Sequence, residues 1–243
     1  MSMLVAIPSK GRPGNIPSQT LITSSYVFVP DLEFKAYERL GARNLVSVPN
    51  DVRGITPTRN WILKWAKKKK FRHVVFIDDD LQKAGYIELM ARHGEHRELS
   101  EEQWLNEWEK LFDVTEQAGF RMWGVSTDGA LRGVHPYKPF LFKSYITASC
   151  MGMINDGKLF FDESYPVKED YEICLRCVVE DGGLIAARYL YWRNSHWVDV
   201  GGFKDYRTQE MERDCIRRLK KQYPGMVRDY KERDNEFCIK LVF

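Results

Sequence analysis

The sequence predicts an α/β fold in which helices flank a mostly parallel central sheet within a single domain. Three observations support this prediction. Between residues 3 and 77, short apolar segments alternate with segments of helical periodicity, which is the rhythm of strands joined by covering helices. Loops rich in proline and glycine follow several of the apolar segments. The length of 243 residues suits one large domain, and no change of composition indicates a linker.

The first part of the chain supplies four strands and two helices. A helix fits residues 31–40 and ends near Gly41. A second helix is predicted from Thr56 to Lys70, because threonine is a favourable N-cap and Pro57 suits the first helical position. The apolar runs predict strands over residues 3–7, 26–29, 44–48 and 74–77.

The rest of the chain continues the alternation. Ser100 and Gln103 form a capping box, and the apolar residues that follow recur at helical spacing. A charged helix is predicted from Phe203, followed by a break at Pro224 and a short apolar end. Strands are predicted over residues 122–126, 145–154 and 184–192, with a helix over 170–179.

Composition narrows the possible function classes. A net charge of +3 permits an anionic substrate without requiring nucleic acid. No segment approaches the roughly 18 apolar residues of a membrane span, and the first residues predict a strand rather than a signal peptide. Five cysteines without framework spacing suggest reduced thiols. Cys174 and Cys177 lie in a predicted helix without a second pair, so we expect core thiols rather than zinc ligands.

Three consecutive carboxylates follow an apolar strand in the stretch HVVFIDDDLQ. In open parallel sheets, ligands bind beyond the carboxyl ends of the strands, and carboxylate oxygens suit Mg²⁺ or Mn²⁺. Asp78 and Asp80 lie two residues apart, so both side chains can face one side of an extended chain. The alternative is a solvated turn in which these two residues and Asp79 cap a following helix.

Two later groups of polar residues allow two interpretations each. Glu169 and Asp170 open a predicted helix, where acidic residues are favourable against the helix dipole. The same carboxylates are also candidates for a general base. His196 follows a predicted strand, where it is a structural histidine unless it reaches the same cation as Asp78 or Asp80.

Five motifs, taken in order, resemble the GT-A glycosyltransferase fold, whose members use sugar-nucleotide donors. They cover roughly residues 4–197 and are VAIPSKGRP, VPNDVRGITPTRNWIL, VVFIDDD, VKEDYEICLR and NSHW. More narrowly, the sequence resembles the TET-associated glycosyltransferases of bacteriophages. That resemblance implies transfer of a sugar from a nucleotide-sugar, expected to be a UDP-sugar, to a 5-hydroxymethylpyrimidine in DNA. It divides the chain 1–243 into a nucleotide-binding half (1–80), an acceptor and catalytic half (81–202) and a helical tail (203–243).

The resemblance also implies roles for individual residues. Arg59 would lie near the diphosphate, since an arginine fork and a helix N-terminus both favour phosphate. Mn²⁺ or Mg²⁺ would be held by Asp80, Asp78 and His196, whereas Asp79 would matter least for the metal. Asp170 would be the base of an inverting transfer, with Glu169 as its substitute, and a retaining reaction stays open. The residues expected at the nucleotide are Pro8, Ser9, Lys10, Arg12, Asn50, Asp51, Arg59, Asn60, Asp78 and Asp79.

A DNA acceptor would give a role to the basic and aromatic loop of residues 131–143. Arg132, His135, Tyr137 and Lys138 would contact phosphates and an extruded base. A loop packed over the sheet explains the same residues. A glycan or protein acceptor is the alternative substrate, and a binding module without catalysis is the alternative class. We expect a monomer without a membrane anchor in the cytoplasm, which is the host cytoplasm if a phage encodes it.

Overall fold

The computed structural model describes residues 3–88, 95–127, 138–194, 207–230 and 236–243. The helices are α1 (Pro17–Leu21), α2 (Phe34–Arg39), α3 (Ile55–Lys68), α4 (Glu101–Gln117), α5 (Glu169–Asp181) and α6 (Gln209–Gln222). The strands are β1 (Met3–Pro8), β2 (Tyr26–Pro30), β3 (Leu45–Val48), β4 (His73–Ile77), β5 (Leu81–Glu88), β6 (Glu95–Glu98), β7 (Met122–Thr127), β8 (Phe140–Leu141), β9 (Cys150–Ile154), β10 (Ile185–Asn194), β11 (Val227–Asp229) and β12 (Ile239–Leu241).

One large sheet organises the described part of the chain. Its ten strands follow the order β3-β2-β1-β4-β9-β7-β10-β5-β6, with β8 paired to β10, while β11 and β12 form a separate hairpin. The pairs among β1, β2, β3 and β4 are parallel, as are β7 and β10. β9 is antiparallel to both of its neighbours, and β5 and β6 extend the sheet in antiparallel pairs. The predicted α/β class is therefore confirmed, with a mixed sheet.

The direction of β9 determines which residues meet at the functional edge. Its amino end lies beside the carboxyl end of β4, because Cys150 pairs with Ile77. One residue further, the Asp78 N–H donates to the Ser149 carbonyl at 3.1 Å. β9 begins at Cys150, so the strand predicted over 145–154 is too long. Residues 145–149 instead form irregular chain along the edge where the carboxylates emerge.

Both faces of the sheet are buried, which explains the continuous apolar runs of its central strands. Val5 and Ile7 of β1 pack in the cluster that includes the apolar face of α4. Leu4 and Ala6 face the opposite side and pack in the cluster that includes α3 and α5. Each fully buried leucine, isoleucine or valine of this kind contributes about 1.5–3 kcal/mol. The edge of the sheet therefore rests on a rigid two-sided core.

The start of α3 differs from the prediction. The helix begins at Ile55 after an N-cap at Gly54, so Thr56 is not the N-cap. Gly54 has a φ of 99°, a conformation that glycine adopts readily and that turns the chain two residues earlier than predicted. The Thr56 hydroxyl donates to the Tyr165 carbonyl at 3.0 Å and so ties α3 to the segment before α5.

The remaining elements match the sequence unevenly. The capping box at Ser100 is present, with both hydrogen bonds exchanged with Gln103. α6 begins at Gln209 rather than at Phe203, because Thr208 caps it by accepting from the Met211 N–H at 3.2 Å. The elements α1, β5, β6, β8, β11 and β12 were not predicted. Across the described ranges, no helix has the length and apolar character needed to cross a bilayer.

Candidate active site

A cleft of about 460 Å³ opens at the edge where β1 and β4 end and where β9 and α5 begin. It contains five acidic and five basic side chains, so charge is concentrated there but nearly balanced. We call it the acidic cleft. Its charged lining consists of Lys10, Arg12, Arg59, Asp78, Asp79, Asp80, Lys168, Glu169, Asp170 and Arg207. The predicted carboxylates of the two motifs, 90 residues apart, therefore share one cavity in the folded chain.

Asp79 is the structural member of the aspartate triplet. Its Oδ2 accepts a hydrogen bond from Ser9 at 2.5 Å, and its Oδ1 accepts from Nη1 of Arg12 at 2.5 Å. Burial raises the pKa of Asp79, and the bonds from these two residues oppose that rise. Ser9 and Arg12, which were predicted at the nucleotide, are thus engaged in holding the loop after β1 to the end of β4.

Asp80 is the member of the aspartate triplet with a buried, unpartnered carboxylate oxygen. Its Oδ2 lies 3.6 Å from Nη1 of Arg12, whereas its Oδ1 is buried and lacks any hydrogen-bond partner within the described chain. A buried carboxylate oxygen without a partner is costly, and a hard divalent cation is the kind of group that would satisfy it. The residue following it, Leu81, begins β5, so the triplet does not cap a helix.

Asp78 faces the acidic cleft with 34% of its side-chain surface exposed. Burial of the rest raises the pKa of Asp78 to about 7, while Arg59 opposes the rise and Asp80 adds to it. A carboxylate with a pKa raised in this way would be stabilised in its ionised form by a cation. Asp78 and Asp80 therefore fit a divalent metal, although the described residues include no group of three potential metal ligands.

Ser18 fixes the turn that carries the aspartates. Its Oγ donates to the Asp78 carbonyl at 2.5 Å and accepts from the Leu81 N–H at 2.9 Å. Ser18 is fully buried at the start of α1, an element that the sequence did not predict. Pro17 at the first position of this short helix was the available signal.

Arg59 joins the two acidic motifs. Nη1 of Arg59 lies 2.9 Å from Oε1 of Glu169, and its Nη2 lies 3.5 Å from Oδ1 of Asp78. Only 3% of the arginine side chain is exposed. Burial and the neighbouring Asp170 raise the pKa of Glu169 to about 7, against the opposing effect of Arg59. The positive charge of the guanidinium therefore offsets the negative charges of Asp78 and Glu169. Arg59 also lines the acidic cleft beside them.

Asp170 is held by two donors. The Tyr145 hydroxyl donates to its Oδ2, and the Tyr171 N–H donates to its Oδ1 at 2.9 Å. Burial and the adjacent Asp170 raise the pKa of Tyr145 well above its usual value, so this phenol remains protonated and always donates. No pattern in the sequence pointed to Tyr145, whose partner lies 25 residues away.

Lys168 is the N-cap of α5 and has an uncommon backbone conformation. It adopts a left-handed conformation with a φ of 62°, which is uncommon for a residue other than glycine. Its Nζ donates to the Phe237 carbonyl at 2.9 Å and lies 3.2 Å from Oε2 of Glu212. Glu212 also pairs with Arg207. One buried glutamate of α6 thus fixes two cations of the acidic cleft.

A second cleft of about 460 Å³ adjoins the acidic cleft and has mostly apolar walls. The two share Pro8 and Lys10. Asn50 lines this second cleft and accepts from the Leu32 N–H at 3.1 Å. Asp51 is exposed and does not line either cleft. We call this cavity the apolar cleft.

Asn60 does not face the nucleotide as predicted. Its amide donates to the Phe161 carbonyl and to Glu163, both at 2.9 Å, and it accepts from the Phe161 N–H at 2.8 Å. Asn60 is buried and clamps the segment before α5. The periodicity of α3 places its side chain on the wrong side of the helix for the clefts.

Four of the predicted site residues belong to segments that the structure does not describe. His196, Arg132, His135 and Tyr137 lie outside the described residues. Lys138 is described and exposed, two residues before β8.

A family profile identifies the chain as a glycosyltransferase, and the described sheet and helices fit the expected GT-A fold. This profile, for TET-associated glycosyltransferases, matches residues 3–203, and the chain belongs to that family. No curated protein matches significantly.

Solved structures of low sequence identity share the fold. One is glucosyl-3-phosphoglycerate synthase from Mycobacterium tuberculosis in complex with Mn²⁺, UDP and glucosyl-3-phosphoglycerate. It has 14% identity and a TM-score of 0.53, with 91% of this chain and 79% of that chain covered. The same enzyme in complex with Mn²⁺, UDP and phosphoglyceric acid has 14% identity and a TM-score of 0.51. That match covers 99% of this chain and 86% of the other chain.

Proposed function

We propose that this glycosyltransferase moves a sugar from a UDP-sugar to the hydroxyl of a 5-hydroxymethylpyrimidine in DNA, with inversion at the anomeric carbon. The observation that carries the proposal is the unpartnered, buried Oδ1 of Asp80 in a cleft that also contains Asp170. The unpartnered oxygen of Asp80 is a suitable ligand for a cation. Asp170 forms no ion pair within the described chain. The family name, TET-associated, supports modified DNA as the acceptor.

The donor would occupy both clefts. The uracil and ribose suit the apolar cleft, with Asn50 and Lys10 at its walls, and the diphosphate would cross towards the aspartates at Pro8. The glucosyl-3-phosphoglycerate synthase of the same fold was solved with UDP and Mn²⁺, which supports this choice of donor and metal.

Asp78 and Asp80 would hold Mn²⁺ or Mg²⁺. His196 is proposed as a further ligand, because it follows Asn194 by two residues in the sequence and Asn194 pairs with Leu81 beside Asp80. A divalent cation at this position supplies positive charge that stabilises the departing diphosphate.

Asp170 is proposed as the base. The acceptor oxygen bonds to the anomeric carbon, the bond from that carbon to the diphosphate breaks, and the hydroxyl proton passes to the carboxylate of Asp170. Tyr145 holds this carboxylate in one orientation. Glu169 is the weaker candidate, because its Oε1 is engaged by Arg59.

The test incubates DNA containing 5-hydroxymethylcytosine or 5-hydroxymethyluracil with Mn²⁺ and a panel of nucleotide-sugars, and then analyses the nucleosides by mass spectrometry. We expect a sugar-modified nucleoside from the wild type, none from unmodified DNA, and none from the Asp80→Ala variant. Transfer to a glycan or a protein in place of DNA would overturn the proposed acceptor. Absence of donor hydrolysis and of transfer with every donor would overturn the enzyme assignment itself.

A further inference from the structure

A third cavity lies next to the acidic cleft, on the side of the C-terminal hairpin. It has a volume of about 300 Å³ and is bounded by residues 143–145, by Tyr171 and by β12. We call it the hairpin groove. The lining side chains used below are Lys143, Tyr145, Tyr171, Tyr230, Lys240 and Phe243. Of these residues, Lys143 belongs to the loop of residues 131–143 that was predicted to contact DNA. No binding role was predicted for the others.

The hairpin groove shares a wall with the acidic cleft. Tyr145 and Tyr171 line both cavities, and their rings stack with centroids 4.2 Å apart and planes inclined by 23°. Asp170 lies at this wall, because it accepts hydrogen bonds from the hydroxyl of one tyrosine and from the backbone of the other. A molecule in the groove is therefore separated from a donor in the acidic cleft by these two tyrosines, and the proposed base lines the cleft side of that wall.

The charge of the groove differs from that of the acidic cleft, in which acidic and basic side chains are equal in number. Among the described residues that line it, the charged side chains are Lys143 and Lys240, and none is acidic. Both lysines are exposed, and neither forms an ion pair with another described residue. Tyr171, Tyr230 and Phe243 line the same groove, and Phe243 is 41% exposed. Cations interleaved with aromatic rings are the pattern that binds single nucleotides of a nucleic-acid strand.

We propose that the hairpin groove binds the acceptor nucleotide of DNA. The modified pyrimidine stacks against the aromatic side chains, and Lys143 and Lys240 contact the flanking phosphates. The hydroxymethyl group then points past Tyr171 towards Asp170. This assignment rests on the proposed function, and it adds the place of the acceptor and the residues that hold it.

The size of the groove favours a nucleotide. A volume of about 300 Å³ is at the lower limit of sites for small ligands. It admits one extruded base, which is how enzymes reach a base that lies within a duplex. Two lysines in a groove whose lining includes no acidic side chain match a polyanion better than a neutral glycan.

Two variants test the assignment against one matched control. Phe243→Ala removes an exposed ring, and the double variant Lys143→Ala/Lys240→Ala removes both positive charges. Lys158→Ala is the control, because Lys158 is equally exposed and lines none of the three cavities. The probe is an oligonucleotide carrying one 5-hydroxymethylcytosine, with a 5-hydroxymethyluracil counterpart. The measured quantities are its KM in sugar transfer, the salt dependence of its Kd, and the Kd of UDP with Mn²⁺.

We expect Phe243→Ala to raise the oligonucleotide KM about tenfold. The double variant should lower the slope of log Kd against log salt by about one for each lysine. The Kd of UDP should be the wild-type value in both, and Lys158→Ala should change none of the three quantities. If wild type glycosylates the oligonucleotide and the groove variants behave as Lys158→Ala does, the groove assignment is wrong while the proposed function stands. If wild type modifies no hydroxymethylated DNA, the proposed function and the groove assignment fail together.

Discussion

At the scale of single residues, Glu169 and Asp170 are neighbours in sequence with different surroundings. Glu169 is paired with a buried guanidinium, whereas the donors to Asp170 among the described residues are neutral, a phenol and a backbone amide. A carboxylate that accepts neutral hydrogen bonds keeps further lone pairs for a substrate proton. The motif alone left the choice of base between these two residues, and the partners of each now favour Asp170.

We predict that Asp170→Asn lowers kcat for sugar transfer by at least about 100-fold, because an amide cannot accept the proton of the acceptor hydroxyl. The variant keeps the size of the side chain and one of its two acceptor oxygens, so the Kd of UDP should be unchanged. Steady-state transfer assays and calorimetry with UDP measure the two quantities. Loss of UDP binding in Asp170→Asn would mean that the residue serves the donor instead.

Tyr145→Phe separates orientation of the base from proton acceptance. Removing the hydroxyl leaves the carboxylate in place but releases its Oδ2, and a misplaced catalytic group costs up to about 100-fold. We expect a kcat between those of wild type and Asp170→Asn, with the oligonucleotide KM nearly unchanged. A kcat equal to that of wild type would remove Tyr145 from the catalytic apparatus.

At the scale of elements, the start of α4 is tied to the loop between α1 and β2. Glu101 accepts from the Thr23 hydroxyl at 2.6 Å and from the Ser24 N–H at 2.8 Å. Burial alone would raise the pKa of Glu101, but the hydrogen bonds from Ser24 and Thr23 lower it to about 2. A carboxylate with a lowered pKa stabilises the folded state when it is ionised, above its ordinary pKa of 4.5.

We predict that Glu101→Gln lowers the free energy of unfolding by about 1–2 kcal/mol at pH 7. The difference from wild type should shrink as the pH falls below 4.5 towards 2, because the wild-type carboxylate becomes protonated there. Urea unfolding of both proteins at about pH 7, 4.5 and 3.5 measures this difference in the free energy of unfolding. Glu102→Gln, at an exposed position in the same turn, is the control and should change little at any pH. A difference independent of pH would contradict the ionised role of Glu101.

The sequence predicted long elements well and short edge elements badly. α4 carried its own signals, a capping box and an apolar face, so its start was predicted at the correct residue. β5 has no such local signal, and it is a strand because it pairs with β10, as where Tyr86 lies opposite Leu190. Pairing between segments about 100 residues apart overrides local propensity. The five-residue α1 was missed for the same reason, since its Ser18 is fixed by the turn after β4.

The candidate site shows the same limit. The acidic motifs predicted which carboxylates lie at the edge of the sheet, because the carboxyl ends of β1 and β4 coincide in this topology. Their partners could not be predicted, since Ser9 meets Asp79 across 70 positions and Arg59 meets Glu169 across 110. Those pairings decide whether a polar residue supports the site or faces its ligand.

At the scale of the whole molecule, the two clefts join segments that are distant in the chain. The loop after β1, the end of β4 and the start of α5 meet only in the folded state. A ligand that bridges them binds the native state alone, and it raises stability by about 2.7 kcal/mol at a concentration 100 times its Kd. For a domain of this size that corresponds to an increase in Tm of about 5–10 °C.

Asp79 and Asp80 should respond differently in such a measurement. We predict that UDP with Mn²⁺ raises the Tm of wild type more than UDP with EDTA does. Asp80→Asn should lose this Mn²⁺-dependent increment but keep nearly the Tm of the ligand-free wild type. Within the described chain its Oδ1 has no partner to lose, and its Oδ2 lies 3.6 Å from Arg12, beyond hydrogen-bond distance. Asp79→Asn should do the reverse, with a lower ligand-free Tm and a preserved increment, since Asp79 binds Ser9 and Arg12. Differential scanning fluorimetry of the three proteins decides it. Equal loss of the increment in both variants would show that the triplet acts as one unit and would refute the division of roles argued from its hydrogen bonds.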